Sequence, residues 1–407
     1  MLRTRLALLL TLTLCSCAAV QPASPTAEPA VKVRPSQTPT PPTPHTLPLT
    51  ATATLLPQPA PTHTATPTAP PPVPLSVSGP WALILNQDGI WAVNEDGSGL
   101  THLTRDVIPH RALSVSGKWI AYVTDDQAGF APESRGGLTL KLLSLPEGIP
   151  YTVTELQIPN VTEDSSEDLR FSAEQVYRAV IFEGTGLAWS PDGSTLAFVS
   201  GHEGTSSDLY LLSRDLRTIT RLTDGPAQAY QISWSPDSRY IFHTGASNFG
   251  TGAGYAMVGV WAARADGTGV RSLYQPDPGT GAEVLVDWIA VDTALVHSWR
   301  PDCGGNNLIT VNVASGEIQI VWRDYLNQVA YNPDTGAILI DAQDIDCNSE
   351  SASGFYLMEP GGMKLEQISG EEYYSELPGL PPDPVPVALE EHLETLLEIE
   401  SVIWMQP

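Results

Sequence analysis

Leu187-Ala188-Trp189-Ser190-Pro191-Asp192-Gly193, followed by Thr195-Leu196-Ala197-Phe198-Val199, opens a unit that recurs along the chain. After a polar loop come Leu209-Tyr210-Leu211-Leu212, a turn, and Thr220-Arg221-Leu222-Thr223. A second copy starts at Ile232-Ser233-Trp234-Ser235-Pro236-Asp237. It continues through Tyr240-Ile241-Phe242-His243, Val260-Trp261-Ala262 and Ala265-Asp266-Gly267-Thr268-Gly269 to Arg271-Ser272-Leu273. Each unit holds four short apolar runs separated by Gly, Asp, Pro and Ser. Pro presets φ, while Asp and Gly accept turn geometry, so each unit reads as four strands. Repeats of about 45 residues with four strands each are the pattern of propeller blades.

Weaker copies begin at Ala112, Val286 and Val329 and end near Leu156, Asp324 and Ile368. A first unit, from Trp81 to Thr104, lacks its opening strand. Ser401-Val402-Ile403-Trp404-Met405-Gln406-Pro407 has the form of Gly186 to Pro191 and supplies the missing strand from the far end. Five full units plus one shared unit predict an all-β, six-bladed propeller of four-stranded antiparallel blades. A degenerate seventh unit within 370–400, with Tyr374 one period after Tyr331, is the alternative. Two stretches fit no blade. Asp168 to Val180 reads as a short helix, and Val387 to Glu398 as an amphipathic one with Leu389, Leu393, Leu396 and Leu397 on its apolar face.

The Ser-Pro-Asp-Gly and Asp-Gly-Ser-Gly turns at these spacings resemble the TolB-like propeller family, also called WD40-like or PD40 repeats. The resemblance covers roughly residues 80–407 and specifies architecture. It implies a domain that binds proteins in the cell envelope, or the non-catalytic half of a peptidase. No Gly-x-Ser-x-Gly nucleophile elbow occurs in the chain.

The N-terminus reads as an address. Arg3 and Arg5 precede the apolar run Leu6 to Leu14, too short to span a bilayer. The run ends in Leu14-Cys15-Ser16-Cys17, which resembles the bacterial lipobox and implies cleavage after Ser16 and lipidation of Cys17. An ordinary cleaved signal is the alternative. Residues 1–16 are therefore the expected signal peptide and 17–79 a disordered Pro/Thr-rich tether, with the propeller at 80–407. Pro removes backbone donors and favours extended polyproline II, so runs such as Thr38-Pro39-Thr40-Pro41-Pro42-Thr43-Pro44 build no core. About 60 residues at ~3.1 Å each reach at most roughly 190 Å. The expected location is extracytoplasmic, anchored to the cell membrane by the N-terminal lipid alone.

The net charge of −26 repels phosphate backbones and anionic headgroups, which argues against nucleic acid and membrane surfaces as partners. An envelope protein or a glycan is the expected ligand of a monomer that carries no cofactor.

Several constellations carry a chemical alternative. Asp192, Asp237 and Asp334 recur in Pro-Asp turns, as metal ligands or, by their repetition, as turn acceptors. His243 and His297 each lie nine residues after Trp234 and Trp288, which predicts equivalent sites in adjacent blades. The same position elsewhere holds Phe198, Tyr122 and Ile340, which suits packing more than metal binding. Asp341, Asp344, Asp346 and Glu350 crowd one loop, which reads as a solvated acidic loop or, as the alternative, as hard oxygen donors for Ca²⁺, though without the EF-hand pattern and its central Gly. Cys303 and Cys347 follow the second strands of neighbouring blades and are expected to form a disulfide. No catalytic constellation emerges. The expected function is a non-enzymatic binding scaffold, with a metal-dependent propeller enzyme, a polysaccharide lyase or hydrolase, as the alternative.

Overall fold

The computed structural model describes residues 73–106, 108, 112–125, 137–159, 166–182, 186–202, 206–213, 215, 218–225, 228–246, 257–275, 282–299, 307–323, 326–342, 353–360, 364–377 and 399–405. The strands in chain order are β1 (Trp81–Asn86), β2 (Gly89–Asn94) and β3 (Thr101–Thr104) in blade one, then β4 (Leu113–Ser116), β5 (Trp119–Asp125), β6 (Leu138–Ser144) and β7 (Tyr151–Leu156) in blade two. Helix α1 (Glu167–Phe182) separates these from β8 (Leu187–Trp189), β9 (Thr195–Ser200), β10 (Asp208–Ser213) and β11 (Ile219–Arg221) of blade three. Blade four holds β12 (Gln228–Trp234), β13 (Tyr240–Ala246), β14 (Met257–Arg264) and β15 (Val270–Tyr274). Blade five holds β16 (Ala282–Ala290), β17 (Thr293–Trp299), β18 (Asn307–Asn312) and β19 (Ile318–Arg323). Blade six holds β20 (Gln328–Asn332), β21 (Ala337–Asp341), β22 (Phe355–Met358) and β23 (Leu365–Ile368), followed by α2 (Gly370–Glu376) and β24 (Ile399–Met405).

These strands form six four-stranded antiparallel sheets, each in sequence order except the first, which runs β24-β1-β2-β3. The expected shared blade is therefore present, with Trp404 opposite Ala82 and Val402 opposite Ile84. In this strand Trp404 takes the place that Trp189 holds in blade three, but not its burial. Trp404 is only partly buried, whereas the following Met405 is 1% exposed. Tyr374 lies exposed on α2, so the stretch that would start a seventh unit is helical. The expected helix at 387–398 lies outside the described residues.

The second strands are buried on both faces, since each is sandwiched between neighbouring blades. WALILN in β1 and YIFHTGA in β13 are buried at every position. Apolar clusters run from blade to blade. One unites blades one to four, a second joins Phe242 of blade four to Val296 of blade five, and a third joins Leu295 to Ile338 and Ile340 of blade six. Each fully buried side chain of this size contributes roughly 1.5–3 kcal/mol.

The turns follow the residues that mark them. Asp192 Oδ1 accepts from Ser190 Oγ (2.7 Å) and Ser194 N (2.9 Å), and Asp237 Oδ1 accepts from Ser235 Oγ (2.7 Å) and Arg239 N (3.1 Å). Both carboxylates thus act as turn acceptors. In blade six the acceptor is Asn332, whose Oδ1 takes the N–H groups of Asp334 and Thr335; Asp334 is not the counterpart the sequence suggests. The turn needs a left-handed residue. Gly193 supplies it at φ 66°, and in blade four Ser238 adopts φ 59°. The Ser238 hydroxyl repays the strain locally by accepting from Asp192 N of the preceding blade (3.1 Å).

The outer strands β3, β7, β15 and β19 all carry a register shift against their third strands. Such bulges twist an edge away from foreign strands. Helix α1 buries Ala173, Tyr177, Val180 and Ile181, one stripe of a 3.6-residue period, and Tyr177 donates its hydroxyl to Val199 O (2.7 Å). Helix α2 starts at Ser369, whose side chain accepts from Glu372 N. It covers the face of blade six turned away from blade five: buried Tyr373 packs 4.7 Å from Phe355, and Glu376 O accepts from Asn332 Nδ2 (2.9 Å).

Candidate functional site

The two faces of the propeller differ. On one, strands are joined by tight turns such as Gly117-Lys118, Val291-Asp292, Pro333 to Gly336 and Ala265 to Gly269. On the other lie the longer connections from β5 to β6, β13 to β14 and β21 to β22, together with α1, whereas α2 runs along the side of blade six and ends beside Asn332 at the tight turn. Beneath that second face, the strand ends carry a layer of buried polar groups. Arg178 of α1 bridges Glu174 (2.7 Å) and Asp125 at the end of β5, fastening the helix to blade two. Asp208, fully buried at the start of β10, accepts from Arg221 Nη2 (2.5 Å), Thr223 Oγ1 (2.9 Å), Gly225 N (3.2 Å) and the Ser206 hydroxyl. Arg221 also reaches the exposed Asp224 at 2.7 Å. Ser207 Oγ donates to Ala229 O (2.7 Å), joining blade three to blade four. In blade five the buried Glu283 accepts from Ser298 Oγ (3.2 Å), and in blade six Asp341 accepts from Asn327 Nδ2 (2.7 Å). On inner strand β16, burial pushes the Asp287 carboxyl up from the ordinary carboxylate value.

At this face the two buried ion pairs, Asp125–Arg178 and Asp208–Arg221, fix the strand ends from which the longer connections leave. Sequence reasoning missed Asp208–Arg221 and Asp125–Arg178. Their partners come from different elements, two strands in the first pair and a strand and a helix in the second, and only the polar run Ser206-Ser207-Asp208 before an apolar strand hints at the first.

His243 and His297 do not occupy equivalent sites. Trp234 pairs with Ile241, so His243 stands two residues beyond the Trp partner; Trp288 pairs with Ala294, so His297 stands three beyond. The hairpin of blade five is one residue shorter, because Ser-Pro-Asp-Gly has given way to Ile289-Ala290-Val291-Asp292 there. The residue in register with His243 is Val296, and His297 matches Thr244. Alternation along a strand then points His243 toward blade three and His297 toward blade six. The two rings are therefore not brought together. His243 is packed at 2% exposure, stacked 6.0 Å from Trp261, as its counterparts Ile84, Tyr122, Phe198 and Ile340 are packed. Burial lowers both imidazoles to about 4, and neither Nε2 has a hydrogen-bond partner.

Asp341 is engaged with Asn327, while Asp344, Asp346 and Glu350 lie outside the described residues, as do Cys17, Cys303 and Cys347. Among the described residues no three His, Cys, Asp or Glu side chains gather as a metal site, and no helix is long and apolar enough to cross a membrane.

No family model matches the chain. A curated relative, named an uncharacterized peptidase YuxL of Bacillus subtilis, is 45% identical over 56 residues, which is 14% of this chain and 8% of that protein. Among solved structures, TolB from Acinetobacter baumannii is similar at 15% identity, with 72% of this chain and 65% of that one covered and a TM-score of 0.36. Dipeptidyl peptidase 4 from Porphyromonas gingivalis is similar at 12% identity, with 74% and 50% covered and a TM-score of 0.46. The β-propeller domain of the Trilobed protease from Pyrococcus furiosus is similar at 12% identity, with 64% and 70% covered and a TM-score of 0.38. The structural neighbours of the chain are TolB and related propeller proteins, and its own strand pairing makes it a six-bladed β-propeller.

Proposed function

We propose that the chain is a non-enzymatic binding module of the bacterial cell envelope, held outside the cytoplasmic membrane by a lipid on Cys17, and that it engages an envelope protein or glycan on the face with the long connections. The carrying observation is the asymmetry of the two faces. One is closed by short, internally bonded turns; the other carries helix α1 and the buried ion pairs Asp125–Arg178 and Asp208–Arg221 at the ends of strands whose connections are longer. Rigid blades under variable loops are the usual construction of a recognition surface.

Two measurements test this reading. A photo-crosslinking residue at the exposed positions His202 or Asp224 is expected to capture a component of the envelope, while the same residue at Asp96 or Asp266 on the tight-turn face captures none. Equal capture from both faces would reject the assignment. Cys17→Ser is expected to move the protein from the membrane pellet to the soluble secreted fraction, and a variant that stays in the pellet would reject the anchor. The enzyme alternative, a metal-dependent lyase or hydrolase, takes its support from the peptidase name of the short curated match. Stoichiometric divalent metal in the purified protein would decide for it.

A further inference from the structure

On the tight-turn face, blades two to five meet closely or are hydrogen-bonded at each successive junction. Gly193 of blade three sits so close to Ser116 of blade two that a Cβ there would lie 2.5 Å from the Ser116 hydroxyl. Asp192 N donates to Ser238 Oγ, tying blade three to blade four, and Arg271 Nη1 donates to Ala314 O (2.6 Å), tying blade four to blade five. No hydrogen bond joins the described turns of blades five and six. The hairpin of blade five is one residue shorter than that of blade four, and a cleft of about 420 Å³ lies between blades five and six at this end. That volume lies within the range of small-ligand sites.

The walls of the cleft have a distinct chemistry. Blade five contributes two hydroxyls, Thr293 and Thr310, two amides, Asn312 and Gln319, and the carboxylate of Glu317. Blade six contributes Tyr331 beside an aliphatic floor of Ile338 and Met358. No Lys, Arg or His lines it, and the chain carries a net charge of −26, so anionic ligands are disfavoured. Gln319 Nε2 donates to Glu317 Oε1 (3.2 Å), which fixes the amide with its carbonyl oxygen available as an acceptor. Asn312 Oδ1 accepts from Ala314 N, Ser315 N and Ser315 Oγ, and its Nδ2 donates to Thr293 Oγ1 (3.4 Å), so these two side chains brace the wall while Thr310, Gln319 and Glu317 face a ligand. Blade five also contributes Ile289, Ile320 and Val321, so its wall sets polar groups among aliphatic side chains, opposite the aromatic and aliphatic surface of blade six.

We propose that this cleft is a second binding site and takes a short neutral oligosaccharide. The hydroxyl groups of a sugar ring match the amide, hydroxyl and carboxylate wall, and its C–H face matches Tyr331 and the floor. The site lies on the opposite face from the rim of Asp125 and Asp208 and does not depend on what binds there.

Ligand-observed saturation-transfer NMR on the purified propeller, with maltotriose, cellotriose and triacetylchitotriose as probes and trigalacturonate as the anionic comparison, tests the assignment. Transfer to at least one neutral trisaccharide is expected, stronger than to trigalacturonate. Gln319→Ala, an exposed position, and Thr310→Val, a near-isosteric change, are each expected to weaken that binding by about three- to tenfold, the loss of one hydrogen bond. Their melting temperatures and circular dichroism report whether the ring is intact. Absence of transfer to all three neutral probes, a preference for trigalacturonate, or unchanged affinity in the folded Gln319→Ala variant would each overturn the proposal.

Discussion

Trp404, in the last strand of the ring, stands directly opposite Ala82 in the first strand read from the sequence, and Met405 beside it is opposite Trp81. Blade one is thus completed by residues more than three hundred positions downstream. Removing residues 399–407 strips the inner strand from this sheet and exposes the backbone edge of β1, a template for pairing with other chains. The deletion is expected to lower the melting temperature by roughly 10 °C and to cause aggregation. Met405→Ala is expected to cost about 2–5 kcal/mol, and more than Trp404→Ala. Thermal denaturation with light scattering is the measurement; a deleted protein that melts like wild type would show that the ring closes otherwise.

His243 and His297 make stability depend on acidity. In the unfolded chain both titrate near the ordinary imidazole value of 6.5; in the fold burial holds them near 4. Their contribution is complete above pH 6.5. It falls as the pH drops toward 4, because the unfolded chain takes up protons that the buried rings refuse, and it levels off below. A shift of this size is worth up to about 3 kcal/mol per residue. Urea unfolding at pH 7 and pH 4.5 is expected to show this loss, and His243→Phe, the residue that blade three carries at the equivalent site, is expected to remove the His243 share. An unaltered pH slope in that variant would contradict the assignment.

Asp208→Ala leaves the Arg221 guanidinium without its buried partner and strands Thr223 and Gly225 N–H. Breaking a buried pair on one side costs about 3–5 kcal/mol. The urea midpoint is expected to fall accordingly, with Asp224→Ala, which removes only an exposed partner, changing it by less than about 1 kcal/mol. Similar losses in both variants would show that the burial of Asp208 is not what matters.

Cys303 and Cys347 are expected to be joined in protein from an oxidising compartment. Closing a loop of about 44 residues stabilises by roughly 4 kcal/mol at the upper end of the chain-entropy estimate. Non-reducing peptide mapping reads the pairing directly, and two free thiols would refute it.

The blades were legible in the sequence because each turn is a local chemical device. Ser190, Asp192 and Gly193 bond within five residues of one another, so their spacing announces the hairpin whatever surrounds it. The closing strand was legible for the same reason, as Val402-Ile403-Trp404 repeats Leu187-Ala188-Trp189. What escaped is set by distance or by a missing marker. Arg178 meets Asp125 across fifty-three positions, and nothing in either segment names the other. In blade five the decayed turn left no sign of its length, so counting nine residues from Trp288 put His297 on the wrong side of its strand.

The pairing of β24 with β1 also sets an order of events. Strands β1, β2 and β3 emerge first, yet their sheet waits for a partner made after every other strand of the ring, and contacts of such sequence separation form slowly. During synthesis the nascent first blade therefore presents an open edge until that last strand is made. An interrupted chain would hold most of its blades and still lack the one contact that joins start to finish. Completion of the ring is in this sense a proofreading step: only a chain delivered through its final strand can hide the edge with which it began.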